Sequence, residues 1–401
     1  MTGPQATTAP SPRLIVVLVL ATALGPFAMQ VFLPALPAIQ AGFGVSAATA
    51  QLSFSLSALA IAVSTLFYGP LSDRLGRRPA LLGGLVIYLL GSLLCAAAPS
   101  ISLLILGRIV QAAGGCAGLV LCRAIIRDLY SLDRSAAVLA YVTMAMVTAP
   151  MVAPVLGGLL VDMAGWRSVF LAGVAVGVAI LVAVHGGLPE TAARSGAPRS
   201  ANPLHGVGRL LRSAAFMGYA LQAAFSIAVF YAFLASAPFL MLTVLRRPAS
   251  EYGLLFILIS GAFMVGNFIA GRYSARIGSD RMIMLGSLGS LAATLLTLAS
   301  LLTGHWTPWT LFVPTSIGAF FQGMALPNTQ AAFVSVDPQA AGTASGLGGF
   351  LQMGLAALVA QVVGSIQDGT PYPMVLGMVV CAAAALGSAL VAVRCRAGQR
   401  Q

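Results

Sequence analysis

The chain has 401 residues, 59% of them apolar and only 7% charged, with 21 basic side chains against nine acidic ones and a formal charge of +12. An average soluble domain carries about a quarter charged residues, so this composition cannot clothe a water-soluble surface and argues against a soluble enzyme. The basic excess would suit nucleic acid, but every basic residue is an arginine and their placement along the chain speaks for topology instead.

A membrane-spanning helix needs roughly 20 mostly apolar residues to cross about 30 Å of hydrocarbon. The first such stretch runs near 14–38 and follows Arg13. Ala21-Thr22-Ala23 resembles a signal-peptidase site, but the apolar stretch is too long for a secretory leader and reads as the first span. It carries Gln30 and the segment Phe32-Leu-Pro-Ala-Leu-Pro37. The second span, near 49–71, leads into Gly69-Pro70-Leu71-Ser72-Asp73-Arg74-Leu75-Gly76-Arg77-Arg78, where two glycines permit a tight turn and one acid stands beside three arginines that offer alternative ion pairs. After a third span near 79–98, the fourth, near 101–124, holds Gly107-Arg108-Ile-Val-Gln111-Ala-Ala-Gly114-Gly115. An arginine at membrane depth costs at least a few kcal/mol, so Arg108 is expected to face a polar cavity, with Gln111 on the same helical face.

The fifth span, near 136–160, contains Pro150, Pro154, Gly157 and Gly158: the prolines remove backbone donors and bend the helix, and the glycines admit a close neighbour. A sixth span near 167–188 ends at the longest polar stretch, 190–213, which divides the chain into an N-terminal bundle at 1–189 and a C-terminal bundle at 214–401. Six more spans follow near 214–241, 253–274, 281–303, 308–331, 342–365 and 371–393. The halves echo each other, since the loop after the second span recurs as Gly271-Arg-Tyr-Ser-Ala-Arg-Ile-Gly278 and Leu33-Pro34 as Ala237-Pro238. The expectation is an all-α membrane protein of twelve helices in two pseudo-symmetric bundles, with the substrate between them near the midplane.

Placing the N-terminus in the cytoplasm puts seventeen arginines on that side, from Arg13 through the loops to Arg394, Arg396 and Arg400. Arg167, Arg246 and Arg247 fall outside and Arg108 within a span, which is the positive-inside pattern along the whole chain. Both termini and the 190–213 linker are therefore expected in the cytoplasm of a bacterial inner-membrane protein, with lipid as its surroundings and no nucleic-acid partner. The five cysteines form no CxxC pair and the histidines fall near span ends or in loops, so the sequence asks for no metal, cofactor or catalytic group and argues against a membrane enzyme.

On these motifs the chain resembles the major facilitator superfamily. Its second-to-third-span signature G-x-L-S-D-R-x-G-R-R matches residues 69–78, its R-x-x-Q-G segment matches Arg108 to Gln111, and its antiporter segment G-P-x-x-G-G matches 149–158, with Ala153 where glycine is usual. Together with Ala124-Ile-Ile-Arg-Asp-Leu-Tyr130, Gly165-Trp-Arg-Ser-Val-Phe170, Leu188-Pro-Glu-Thr191 and Gly342-Thr-Ala-Ser-Gly346, it is similar to the bicyclomycin and chloramphenicol resistance subfamily. The resemblance implies proton-coupled export of small antibiotics or related metabolites, with Gly69, Asp73, Arg74, Gly76, Arg77, Arg78, Pro150, Pro154, Gly157 and Gly158 expected to serve the conformational change; a monomer is the expected working unit. A facilitator or importer of a small metabolite fits the same scaffold. The subfamily commonly has an acid where this chain has Gln30, and all nine acids map to loops or span ends, so no carboxylate is left at depth. The expected pocket is an aromatic and amide wall formed by Gln30, Phe32, Arg108, Gln111, Gln222, Ser226, Phe230, Phe233, Asn267 and Gln322, suited to an amphipathic guest.

Overall fold

The computed structural model describes residues 12–129, 132–191, 206–337 and 340–398. The N-terminal half consists of α1 (Pro12–Val31), a single 3₁₀ turn at Leu33–Ala35, α2 (Leu36–Phe43), α3 (Ala47–Leu75), α4 (Arg77–Ala97), α5 (Ile101–Leu129), α6 (Leu132–Ala164) and α7 (Arg167–Gly187). A short α8 (Val207–Arg212) precedes the second half: α9 (Ala214–Phe239) with a π turn at Leu240–Val244, α10 (Ala249–Ile277), α11 (Ser279–Leu302), α12 (Pro308–Ser335), α13 (Ala341–Ser365) and α14 (Tyr372–Gly398). Ten of these helical bodies are long and apolar enough to cross a membrane. α6 is a single helix of 33 residues with an apolar segment at Thr148–Ala164, and α12 spans 28 residues without a charge but with two internal prolines.

Local chemistry sets the boundaries. Ser46, Ser213 and Thr307 cap α3, α9 and α12, each side-chain oxygen accepting a backbone N–H from the first turn. The repeated loops fold alike: Gly76 joins α3 to α4 at φ 97° and Gly278 joins α10 to α11 at φ 94°, a backbone region in which a side chain is strained. The prolines at matching positions also act alike, because the first span breaks at Pro34 into a 3₁₀ turn and the seventh loosens after Pro238 into a π turn. The first span, expected near 14–38, is built of α1, the 3₁₀ turn and α2 and runs on to Phe43, and the end of the polar 190–213 stretch forms the short α8.

Within the first half α5 packs against α1, α3 and α4; within the second, α12 packs against α10 and α11, and α14 against α9. Between halves the extensive contacts are α3 with α13 and α6 with α10. The two ends of the molecule differ. At one, a continuous apolar core takes Phe32, Leu36, Phe54 and Phe170 from the first half together with Phe233, Phe256, Phe312 and Met374 from the second. At the other, each half keeps its own core: Leu18, Leu81, Ile125 and Val184 in the first, Phe216, Ile283, Phe333 and Ala389 in the second. We call these the joined end and the split end; Leu14 near the start of α1 and Ala392 near the end of α14 belong to the cores of the split end.

Candidate functional site

The anticipated wall residues do not converge on one open pocket. Arg108, on α5, is 1% exposed. Its Nη1 donates to Gln111 Oε1 at 2.6 Å and to the Ala28 carbonyl at 3.5 Å, and its Nε donates to the Ser53 carbonyl at 3.4 Å. Its Nη2 lies 3.3 Å from Met29 Sδ, and the guanidinium carbon sits 4.0 Å from the centroid of Phe32. Gln111 passes its amide N–H to Ser92 on α4 at 2.9 Å. A guanidinium has five donors in a planar fork, so one side chain can tie α1, α3 and α5 together, and the ring of Phe32 covers its face. In this state Arg108 is a brace inside the N-terminal bundle, enclosed by backbone carbonyls, Gln111 and the Phe32 ring, where the sequence led to the expectation of a polar cavity.

The second half has a counterpart. Gln222, fully buried on α9, donates to Ser226 and to Ser287 on α11, both at 3.0 Å. Asn267, half-buried on α10, returns its amide to the Phe263 carbonyl of its own helix. Phe230 and Gln322 do meet, lining with Thr294, Thr297 and Thr315 a cavity of about 10 Å³ of water-accessible volume, about one water molecule. Phe233 stacks edge-on with Phe312 at 5.4 Å. Gln30 is 8% exposed and its Oε1 has no hydrogen-bond partner among the described residues.

Aromatic residues invisible to motif reading complete the joined end. Tyr252 lies 5.8 Å from Phe256 and 5.9 Å from Phe312, and Phe256 lies 5.9 Å from Phe230. Phe54 of the first half meets Tyr231 of the second at 5.3 Å. No sequence signal distinguishes these rings from other apolar helix residues; only their juxtaposition does. Hydrogen bonds between the halves also sit at the joined end among the described residues: Ser55 to Gln361 at 2.6 Å, Gln361 to the Ala48 carbonyl at 3.2 Å, and the amides of Ala249 and Ser250 to Asp162 at 3.3 and 2.9 Å.

At the split end, the loop between α3 and α4 is the hub of an ion network. Arg77 pairs through Nη1 with Asp73 at 2.7 Å and through Nε with Asp128 on α5 at 3.1 Å, and also donates to Ser72. The carboxylate of Glu190 accepts the backbone N–H groups of Arg77 and Arg78, occupying the first-turn donors of α4, and Arg78 donates to the His185 carbonyl. Asp128 and Glu190, expected only as loop or span-end acids, are thus members of the signature loop's network. Gly69 and Arg74 stand near it, Arg74 exposed. Gly76 provides the turn. On α6, Pro150 and Pro154 sit inside the helix, Gly157 abuts the Val31 carbonyl, and Gly158 abuts the backbone of Ala249 and Ser250, where any side chain would clash. Among the described residues no cluster of histidine, cysteine or acidic side chains could hold a metal ion.

Comparison with known proteins agrees with this architecture. A family model described as Major Facilitator Superfamily matches residues 18–361. The chain is 32% identical to Multidrug resistance protein D of Escherichia coli over 85% of each chain. It is 28% identical to a Bicyclomycin resistance protein homolog of Haemophilus influenzae over 89% of this chain and 90% of that one. Among solved structures, an inward-facing, unoccupied bacterial homolog of the human lysosomal transporter Spinster superposes with a TM-score of 0.72 at 18% identity, covering 97% of this chain and 96% of that one.

Proposed function

Because the chain belongs to the Major Facilitator Superfamily, a superfamily of membrane transporters, we propose that it exports small amphipathic drugs or metabolites from bacteria by alternating access. The relatives named for multidrug and bicyclomycin resistance support the direction and the substrate class. The observation that carries the reading is the aromatic wall where the halves meet, Phe54 of one against Tyr231 of the other with Phe230 next to it; separately, Gln30 buries an amide oxygen that has no partner among the described residues, and the acids are confined to loops and helix ends. A site without a carboxylate suits a neutral guest with an apolar body and a few hydrogen-bonding groups. The two halves, 1–189 and 214–401, are the bodies that rock.

Orientation follows from the arginines. With the split end in the cytoplasm, the positive-inside pattern is satisfied, both termini lie on the cytoplasmic side of the inner membrane, and the state described is closed to the periplasm. Protons are the coupling ion and the monomer is the working unit in this reading. The deciding experiment uses the purified protein in proteoliposomes, recording proton flux while a chloramphenicol-like compound is added. Export by proton antiport gives compound-dependent proton movement against the compound's flux. Compound movement with no proton flux would make the protein a facilitator.

A further inference from the structure

We infer that Asp162 is a gating residue of the transport cycle: its carboxylate, carried by one half, caps a helix of the other and holds the joined end shut. The inference rests on the alternating-access reading above. Three observations carry it.

The first is that α10 begins without a cap of its own. Pro248 stands at its N-cap position with no side-chain hydrogen bond, whereas Ser46, Ser213 and Thr307 serve α3, α9 and α12 locally. The first N–H groups of a helix have no partner within it, and α10 meets that need across the bundle interface through Asp162 Oδ1 to the Ala249 amide and Oδ2 to the Ser250 amide. The second is that Asp162 is misplaced for its own helix. It lies in the last turn of α6, where the partial negative charge of the helix end disfavours an anion, while the same carboxylate is favoured at the positive N-terminus of α10. Its position is therefore compensated only while the halves meet. The third is that the backbone is shaped for the approach: Gly158 abuts Ala249 and Ser250, and Gly253 abuts the backbone of Pro154 and Val155, so α6 and α10 touch along glycine surfaces on both sides.

Opening the joined end must break this cap, and the interaction exists in one state of the cycle only. Losing a capping side chain corresponds to about a two- to thirtyfold change in an equilibrium, which sets the expected shift from closed to open. The neighbouring inter-half contact through Gln361 is uncharged and spans α3 and α13, so the two sides of the joined end are fastened independently.

The test uses Ala35→Cys as a reporter, because Ala35 is fully buried in the 3₁₀ turn that packs on α9 and α10. Its reaction rate with a membrane-impermeant maleimide is measured on intact cells and on inverted vesicles, with the protein lacking the reporter as blank. Asp162→Ala should raise the rate about two- to thirtyfold, and an unchanged rate overturns the inference. Should that variant fail to reach the membrane, Asp162→Asn decides: it keeps one acceptor oxygen but loses the charge, and charge-assisted bonds are about twice as strong as neutral ones. A rise of about twofold or more supports the latch and an unchanged rate refutes it. Reaction confined to inverted vesicles would reverse the orientation assigned above while leaving the ratio between variants to judge the latch itself.

Discussion

Arg77 makes two ion pairs of similar length, 2.7 Å to Asp73 and 3.1 Å to Asp128, that are not equivalent in energy. Toward Asp128 the side chains are 15% and 12% exposed, whereas toward Asp73 they are 15% and 47% exposed. An exposed pair is screened and contributes about 0.2–1 kcal/mol. A pair withdrawn from water is costlier to break, and hydrogen bonds to charged groups contribute about 1.5–3 kcal/mol. Discounting for the residual exposure of both partners, Asp128→Asn should destabilise the protein by about 1–2 kcal/mol and Asp73→Asn by less than about 0.5 kcal/mol. The assay is reversible unfolding by SDS titration in mixed micelles, run as double-mutant cycles with Arg77→Ala. The coupling of Arg77 with Asp128 should exceed its coupling with Asp73 at least twofold. Transport should rank the other way, because Asp73 is free to exchange partners as the halves move, including the N-terminal end of α13 near Gly342. Asp73→Asn should therefore insert and fold normally yet transport poorly. If the two cycles give equal couplings, or if Asp73→Asn transports at the wild-type rate, the division of labour argued here fails.

Other expectations are simpler. Arg108→Lys keeps the charge but has one point donor group where the guanidinium serves Gln111 and two carbonyls and stacks on Phe32, so it should lower unfolding free energy by about 2 kcal/mol and reduce transport; a melting temperature equal to that of the wild type would contradict the bracing role. Gln30→Asp places a carboxylate where an amide oxygen now lacks a partner, and should shift efflux preference by about tenfold from a neutral phenicol toward an ethidium-like cation. Efficient export of the cation by the wild type would show that charges outside this inventory bind it. A reporter active only in the periplasm should stay silent when fused after Arg199, and activity there would invert the topology.

The sequence alone determined the membrane class, the all-helical architecture and the signature loop, because each rests on a property that survives without tertiary contacts. Apolar run length follows from bilayer thickness, and arginine placement follows from insertion. Gly76 and Gly278 were legible as turns because a tight loop needs glycine wherever it occurs. The partners were not legible. That Arg108 is enclosed rather than facing a cavity depends on carbonyls of Ala28 and Ser53, which every residue carries and no pattern marks. That Asp128 and Glu190 join the loop around Arg77 depends on residues 51 and 113 positions away meeting at one end of the bundle. The cap of α10 is the clearest case, since α10's own N-cap residue, Pro248, has no side chain to accept a bond, and its acceptor, 87 residues earlier, reads in isolation as an ill-placed acid at the end of α6. A helix terminus leaves donors unsatisfied wherever it falls; which distant side chain satisfies them is decided only when the halves pack.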